Sequence, residues 1–577
     1  MENKENTEEE KIEEVKPEEE KIEEVKPEEE KIEKGLNEDD NIESPEDFLD
    51  EKKSKSKPII ITVIVLLLLG CLVGVGIWQK DAIVDFFNKN FKSNGDKEQV
   101  KTPKKEFFSE YRMSGNSIEN FDLYFLKLEN QGKNTVYSPL SIKYALAMLS
   151  EGAAGDTRKQ ITSVIGDYKS KKYINSKNMS FANAFFIRNS FKDAIKPEYV
   201  NSLKEKYNAE VQYEDFNSAQ PMNDWVSNKT FNLIKDTFDN EAIKDENFEL
   251  VNALAIDMNW INRIQCVGGE LPKGMSQKIY GVYYIHEKYN DYLGCIDEYY
   301  FPKMTFNGTD TIKALEVKAS FNKYDIVKDK GEENIRKIVS DDFTKYLKEN
   351  PSEVEFCPTV EEYVNQYIKE INTNYRKADT STDFYISDNE NERVFAKDLQ
   401  TYDGVTLQYV GIMPKKDELT TYVKNLTAKD LLSIIEKMKE VKYENFKEGV
   451  ITHIKGSIPV FKYDYKLDLL EDLKKLDVKD VFDINKADLS NMLKDEKQYI
   501  SSANHKATIE FSNDGIKAAA VSSAGGAGAA AACLYDYVFE VPVEEIDVTF
   551  DKPYMYIIRD KDSGEVWFVG TVYEPTK

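Results

Sequence analysis

A run of uncharged, mostly apolar residues occupies positions 58–78. As a helix it would be about 31 Å long at about 1.5 Å per residue, close to the about 30 Å thickness of a bilayer core. Four lysines precede it within residues 52–57, whereas Asp81 and Asp85 follow it. Because positive charge is retained on the cytoplasmic side of a membrane, the pattern predicts a single-pass transmembrane helix in the cell membrane. Its N-terminus would be cytoplasmic and its C-terminal domain extracellular.

The segments that flank this run are polar. Residues 8–34 contain a ten-residue repeat, EEEKIEEVKP, in which Pro17 and Pro27 interrupt a coiled-coil-like acidic pattern. High charge with few apolar residues predicts a disordered acidic tail over residues 1–57. Residues 79–105 are predicted to form a stalk.

From residue 106 onward, the hydrophobic pattern indicates helices first and mostly strands later, which favours an α+β domain over residues 106–577. Ser138 and Pro139 suit the start of a helix, as an N-cap and a first-turn residue, and Thr427 caps a second helix. Apolar runs predict strands at 248–256 and 405–414, and a strand hairpin at 548–559 and 565–572 with its turn at 562–564.

Residues 518–532 contain nothing larger than valine and read AAAVSSAGGAGAAAA. An ordinary surface loop would carry more Asn, Asp, Pro and charge. Two interpretations stay open from these residues alone: a flexible linker, or a strand that must slide into a narrow space.

Composition argues against several classes of function. The net charge is −27, of which residues 1–57 contribute −13 through 24 acidic and 11 basic side chains. No basic stripe appears, so we do not expect nucleic-acid binding. The spacing of the five cysteines fits neither a zinc site nor a dense disulfide framework, and whether Cys266 and Cys295 pair is left open. His286, His453 and His505 lack a nearby nucleophile motif, so we expect no enzymatic activity, and no metal or other cofactor.

The order and spacing of several segments between about 107 and 577 resemble the serpins, the serine protease inhibitor superfamily. The matching positions are 134–142, 145–155, 251–252, Trp260, 473–482, 487–488, 505–507, Gly515, 518–520, 550–559, Gly570 and Pro575. The resemblance implies a large central β-sheet with surrounding helices and an exposed reactive loop, here at about 513–547. Residues 263–395 lose the pattern and are expected to form an insertion, with strands at 299–302 and 311–317 and helices at 333–348 and 360–376.

The resemblance also assigns roles to single residues. Ser138, Ser141, Asn252 and His505 match a polar cluster that controls the opening of the central sheet, and Trp260 matches the residue where the loop enters it. Gly515, Ile516, Ala518, Ala519 and Ala520 match the hinge of the loop. A protease would cleave the loop and stay linked to it while the loop inserts as a new strand, a behaviour typical of the family.

Three departures affect the reactive loop. Ile516, Lys517 and Asn513 replace the residues that the family favours at the hinge and before it. The loop is also long, so the scissile bond is ambiguous. Counting from the hinge gives Ala529–Ala530, which suits an elastase-like protease, whereas counting back from Phe550 ends near Pro542.

Residues 534, 535 and 537 would instead suit chymotrypsin-like or subtilisin-like proteases. Cys533, inside the loop, is expected to be a small apolar residue, with a mixed or intermolecular disulfide as the alternative.

The sequence therefore predicts a membrane-tethered, extracellular inhibitor of a serine or cysteine protease that acts as a monomer. The alternative is a non-inhibitory surface binding or adhesion protein of the same fold. The Lys-rich, Gly-poor composition favours a bacterial source.

Overall fold

A computed structural model describes residues 109–261, 277–279, 282–284, 303–308, 310–374, 383–495, 497–513, 515–516, 533 and 535–576. All of them belong to one compact unit, Lys101–Lys577. Within these ranges no helix is long and apolar enough to cross a membrane. The predicted tail, transmembrane helix (58–78) and stalk lie outside them.

The α-helices of the described residues are α1 (Asn120–Glu129), α2 (Pro139–Gly152), α3 (Gly155–Ile165), α4 (Pro197–Tyr207), α5 (Gln220–Lys229), α6 (Asn240–Ile243), α7 (Ile326–Lys330), α8 (Glu332–Glu349), α9 (Val360–Asn374), α10 (Leu419–Asn425), α11 (Ala428–Glu436) and α12 (Leu470–Lys475). The strands are β1 (Thr135–Tyr137), β2 (Met179–Arg188), β3 (Glu210–Glu214), β4 (Phe248–Ile256), β5 (Met258–Asn259), β6 (Gln277–Ile279), β7 (Val282–Tyr284), β8 (Lys303–Phe306), β9 (Asp310–Asn322), β10 (Phe384–Asp388), β11 (Glu392–Asp398), β12 (Leu407–Pro414), β13 (Lys439–Glu440), β14 (Ile451–Pro459), β15 (Phe461–Asp468), β16 (Asn504–Phe511), β17 (Gly515–Ile516), β18 (Val543–Asp547), β19 (Tyr554–Asp560) and β20 (Val566–Val572).

Local sequence signals account for several of these boundaries. Ser138 caps α2 by accepting a hydrogen bond from the backbone N–H of Ser141, and Pro139 is the first residue of that helix. Thr427 caps α11 in a reciprocal capping box with Asp430. Each signal satisfies backbone N–H groups that a helix start leaves free, so the predicted helix starts are confirmed.

A seven-stranded sheet holds most of the core, in the order β1-β20-β19-β12-β11-β10-β13. Its central strands β12, β19 and β20 are almost fully buried on both faces, and β19 and β20 form the predicted C-terminal hairpin. A four-stranded sheet, β18-β14-β9-β8, includes the long strand β9, which confirms the strand predicted at 311–317.

Two further sheets meet at one stretch of chain. Strand β4 belongs to a three-stranded sheet, β3-β2-β4, whereas β5 follows after Asp257 and belongs to a four-stranded sheet, β15-β16-β17-β5. In the described part of the chain no strand pairing joins β4 to β16. A gap therefore separates the two strands, closed at one end by β17. We call this gap the slot.

The region predicted as an insertion contributes both sheet strands and a helical layer. Strands β8 and β9 extend the sheet of β14, while β10 and β11 belong to the seven-stranded sheet. Between them, α8 and α9 confirm the helices predicted at 333–348 and 360–376, and they bury their own apolar cluster with Ile335, Val339 and Ile368. The strand predicted at 299–302 lies outside the described residues.

Candidate functional site

The hinge forms a short strand between two others. In β17, Ile516 pairs with Phe511 of β16 on one side and with Met258 of β5 on the other, antiparallel to both. Ile516 is buried. Two residues of the predicted reactive loop, Gly515 and Ile516, therefore occupy a strand position at one end of the slot.

Gly515 is required by the closeness of β5. A Cβ atom at this position would lie 2.1 Å from the carbonyl oxygen of Met258 and 2.7 Å from the Cα of Asn259. The turn before it is fixed by Ser512, whose backbone N–H and Oγ both donate to the carbonyl oxygen of Gly515, at 3.1 and 3.2 Å. The predicted hinge residues Gly515 and Ile516 thus lie where the chain turns into the slot.

Trp260 supports the same turn. Its indole Nε1 donates to the carbonyl oxygen of Ser512 at 2.9 Å. Its ring packs edge-on against Phe511 and Tyr409, with centroids 5.6 and 6.3 Å away. The structure therefore places Trp260 beside the turn that leads into β17.

Beyond β17 the slot is open. A cavity of about 190 Å³ lies between β4 and the β16 region, with Leu250 and Leu254 on one side, Ala507 on the other, and Ile142 and Leu146 of α2 beneath. A smaller cavity of about 10 Å³ continues along Ile256 and Ile509 as far as Ile516. The lining side chains are mostly apolar, which suits an incoming strand of small residues.

The structure brings together three of the four predicted cluster residues. His505 of β16 accepts a hydrogen bond at Nε2 from the backbone N–H of Ser138 at 2.9 Å, and Ser138 Oγ accepts from the backbone N–H of Ser141 at 3.1 Å. Desolvation by the surrounding chain lowers the pKa of His505 to about 4. The imidazole is therefore neutral at pH 7 and able to accept this bond, which joins α2 to one wall of the slot.

Asn252 lies on the opposite wall. It lines the same cavity as the other three residues, but its Nδ2 donates to Asn183 Oδ1 of β2 at 2.8 Å. Asn252 Oδ1 and Ser141 Oγ are buried and find no hydrogen-bond partner among the described residues. The cluster is thus divided across the slot, with two polar atoms unpaired, and a buried unpaired polar atom costs about 1–3 kcal/mol.

One titratable residue of the slot was missed by the sequence analysis. Glu249 of β4 lines the large cavity, and burial, followed by the nearby charge of Glu246, raises its pKa to about 8. The available signal was its position as an acidic residue inside the apolar run of β4.

The far part of the loop is attached to the helical layer. Cys533 forms a disulfide with Cys357, which corrects the expectation that Cys533 is only a small apolar residue. Two residues on, Tyr535 packs against the rings of Phe343, Tyr346 and Tyr363. A pairing across 176 positions depends on how the chain folds, so spacing alone did not indicate it. We call Cys533 and residues 535–541, as held by α8 and α9, the loop anchor.

Several predicted residues lie outside the described ranges: the hinge residues Ala518, Ala519 and Ala520, the candidate scissile pair Ala529 and Ala530, Lys517, Cys266, Cys295 and His286. Of the two described histidines, His453 is buried within β14 and His505 contacts the backbone of Ser138. The described residues contain no cluster of His, Cys, Asp and Glu suited to hold a metal ion.

Comparison with known proteins gives a consistent match. A family model described as "Serpin (serine protease inhibitor)" matches residues 120–265 and 370–575. The neuroserpin of Mus musculus is 24% identical over 472 residues, which cover 78% of this chain and 88% of the relative. The leukocyte elastase inhibitor of Xenopus tropicalis is 23% identical over 478 residues, covering 79% and 97%. Among solved structures, the thermophilic serpin tengpin in its native state covers 84% of this chain and 98% of its own, at 19% identity and a TM-score of 0.49.

Proposed function

Because this chain belongs to the serpin family, we propose that it inhibits a serine or cysteine protease through cleavage and insertion of its reactive loop. The nucleophilic oxygen or sulfur of the protease attacks the carbonyl carbon of Ala529, and the bond to Ala530 breaks. Ala530 becomes a new amino terminus, while Ala529 remains on the protease as an ester or thioester. Insertion of the loop then carries the attached protease along.

The observation that carries this proposal is β17 at the end of an open slot. Continuing its register would set Ala518 between Ile256 and Ile509, and Ser522 between Asn252 and His505. Alternate loop residues face inward, and the inward ones from 518 to 524 are alanines and one serine.

Polar chemistry supports the same arrangement. The hydroxyl of Ser522 would arrive at the part of the slot where Asn252 Oδ1 and Ser141 Oγ are unpaired. Backbone groups of the new strand would pair with both β4 and β16, at about 0.5–1.5 kcal/mol of net stabilisation per hydrogen bond.

The test is to incubate the full chain, in detergent micelles, with a panel of serine and cysteine proteases. We expect a covalent complex that survives SDS, and a rise in Tm on the order of 10 °C after cleavage, because many backbone hydrogen bonds are gained. Cleavage within residues 517–532 that yields neither a complex nor a rise in Tm would contradict the proposal.

A second candidate is a non-inhibitory surface binding protein of the same fold. The changed hinge residues Asn513 and Lys517, together with a loop that is attached at Cys533, favour it. It predicts cleavage without a covalent complex and without a rise in Tm, so the same panel distinguishes the two functions.

We also propose that the domain is monomeric, lies outside the cell and is tethered by residues 58–78. The apolar run and the lysines before it support the tether. The Cys357–Cys533 disulfide supports an oxidising compartment, since disulfides persist mainly outside the cytosol. In sealed vesicles of known orientation, added protease should degrade either the acidic tail or the domain, never both from one side. Degradation of both from one side would exclude the single-pass tether.

A further inference from the structure

The loop anchor holds a continuous stretch of the reactive loop against the helical layer. Its first point is covalent, at the Cys357–Cys533 disulfide. Its last residues lead into β18, which pairs in parallel with β14, and the carbonyl oxygen of Pro542 accepts a hydrogen bond from the backbone N–H of Ile451. The described part of the loop after residue 532 is therefore attached at both ends.

Tyr535 is half-buried and packs against three aromatic rings. Its ring centroid lies 4.6 Å from that of Phe343, 4.7 Å from that of Tyr346 and 5.2 Å from that of Tyr363. Its hydroxyl donates to Asp342 Oδ2 at 2.7 Å. Both the apolar ring and the polar tip are thus already bound within the protein.

The next two aromatic residues of the loop are held in the same way. The backbone N–H of Tyr537 donates to the hydroxyl of Tyr363 at 3.1 Å. Phe539 is buried among Tyr324, Ile335 and Tyr367 in the apolar cluster of α8 and α9. All three aromatic side chains, at 535, 537 and 539, therefore pack against other aromatic rings.

This attachment decides which peptide bonds a protease can reach. Proteolysis favours exposed loop segments with small or polar residues, and cleavage elsewhere needs prior local opening. An aromatic-specific protease would have to place the ring of Tyr535 or Tyr537 in its own pocket, which first requires removing that ring from the anchor. Between Ile516 and Cys533 the sequence offers only Ala, Gly, Ser, one Val and one Lys.

We infer that the loop anchor excludes aromatic-specific proteases and leaves to the target the stretch before Cys533, in which every side chain except that of Lys517 is small. The inference rests on the proposed function and adds the class of the target. The anchor withholds the aromatic residues at 535, 537 and 539, so the bonds offered are those of the small-residue stretch before Cys533. The anchor therefore favours the scissile bond counted forward from the hinge, Ala529–Ala530, which lies before Cys533. The alternative near Pro542 lies beyond the anchor.

The test maps cleavage sites on the oxidised full chain with two proteases, pancreatic elastase for small residues and chymotrypsin for aromatic ones. Mass spectrometry of the new termini reports the sites and their rates. We expect elastase to cut within residues 517–532. We expect chymotrypsin to cut after Tyr535 or Tyr537 at least about 10-fold more slowly than in Tyr346→Ala combined with Cys357→Ser, because that variant loses both a ring contact and the covalent attachment.

Two further variants keep the result interpretable. Asp342→Asn removes only the negative charge to which the Tyr535 hydroxyl donates and keeps an acceptor oxygen, so it weakens the anchor without opening the core. Phe356→Ala changes an exposed ring that is 55% accessible, close in sequence to Cys357, and it should leave the chymotrypsin rate unchanged. Thermal denaturation of each variant verifies that the domain is folded.

Rapid chymotrypsin cleavage after Tyr535 or Tyr537 in the oxidised wild-type chain, at the rate of the double variant, would overturn the inference. The mapping needs no covalent complex. Elastase cleavage within 517–532 without a complex would therefore count against protease trapping alone, whereas a complex formed through Tyr535 would count against the anchor alone.

Discussion

At Gly515 the backbone of the hinge lies closer to β5 than any side chain permits. The Met258 carbonyl oxygen occupies the place where a Cβ atom would be. This close approach allows β17 to lie between β5 and β16. Only glycine, whose side chain is a single hydrogen atom, fits at this position.

Gly515→Ala should therefore displace β17 from the slot. We expect a loss of about 1–3 kcal/mol in the free energy of unfolding, the usual cost of overpacking, measured by denaturant titration. Gly115→Ala is the matched control, because nothing lies within 4 Å of its Cβ position. Equal stability of the two variants would show that β17 does not need the close approach.

The histidine of the slot makes stability depend on pH. The pKa of His505 falls from 6.5 to about 4 on folding, so its contribution is present above about pH 6.5 and is lost as the pH falls toward 4. His505→Gln keeps an acceptor for the Ser138 N–H but does not titrate. The wild-type chain should lose roughly 1–3 kcal/mol relative to this variant between pH 6.5 and 4, measured by denaturant titration at each pH.

Comparison with the variant isolates His505 from its neighbours. Glu246, Glu249, Lys466 and Lys506 line the same cavity in both proteins. The pKa of Glu249 is raised to about 8. Its effect on stability is therefore opposite to that of His505, because Glu249 lowers the free energy of unfolding as the pH rises above 4.5. A difference between wild type and His505→Gln that does not change with pH would contradict the assignment.

At the scale of single elements, β4 lies on one side of the slot, and β16 and β17, which belong to another sheet, lie on the other side and at its end. The inward positions of β16 are Ala507, Ile509 and Phe511, all buried, and Ile516 of β17 lies on the same face. The pleat therefore fixes which residues of the loop would face the cavity.

A pair of neighbouring substitutions tests this register. Ala520→Glu would place a carboxylate on the inward face, next to Leu254 and Ala507, whereas Ala519→Glu would point to the other face. Because a buried unpaired charge is strongly unfavourable, Ala520→Glu should abolish the rise in Tm after cleavage and Ala519→Glu should retain most of it, as measured by calorimetry. Equal behaviour of the two variants would rule out the continued register.

Local chemistry made some elements predictable and not others. The starts of α2 and α11 depend on Ser138, Pro139 and Thr427, each acting within three residues, and the strand β4 is visible as an apolar run. The slot itself was not predictable from pattern, because it depends on β4 and β16 lying side by side without pairing, about 250 positions apart. Asn252 and His505 lie on opposite walls of the slot because β4 and β16 do not pair.

At the scale of the whole molecule, the loop anchor joins the helical layer to the described C-terminal part of the predicted reactive loop. The sequence indicated helices where α8 and α9 lie, but not that they bind the loop. Cys357 could not be identified from the sequence as the partner of Cys533, because only the folded chain brings the two cysteines together.

The disulfide predicts how the cleaved protein behaves on a gel. After a cut between Ile516 and Cys533, the C-terminal fragment still carries Cys533 and stays joined to Cys357. Non-reducing SDS electrophoresis should show a single species near the intact mass, and reduction should release a fragment of about 5–7 kDa, depending on the position of the cut. Release of that fragment without a reducing agent would mean that the disulfide is absent in solution.

The same bond gives the chain a topology. Cys357 and Cys533 close a ring that includes β16, β17 and the whole small-residue stretch. In a closed ring, any strand drawn into the slot must leave enough slack for the chain to return to Cys533. A strand that reaches the level of Phe248 needs about ten residues beyond Ile516, or about 33 Å. Only seventeen positions separate Ile516 from Cys533, so about seven are left for the return path. A proteolytic cut opens the ring into a chain with a free end, and the return path is then no longer needed.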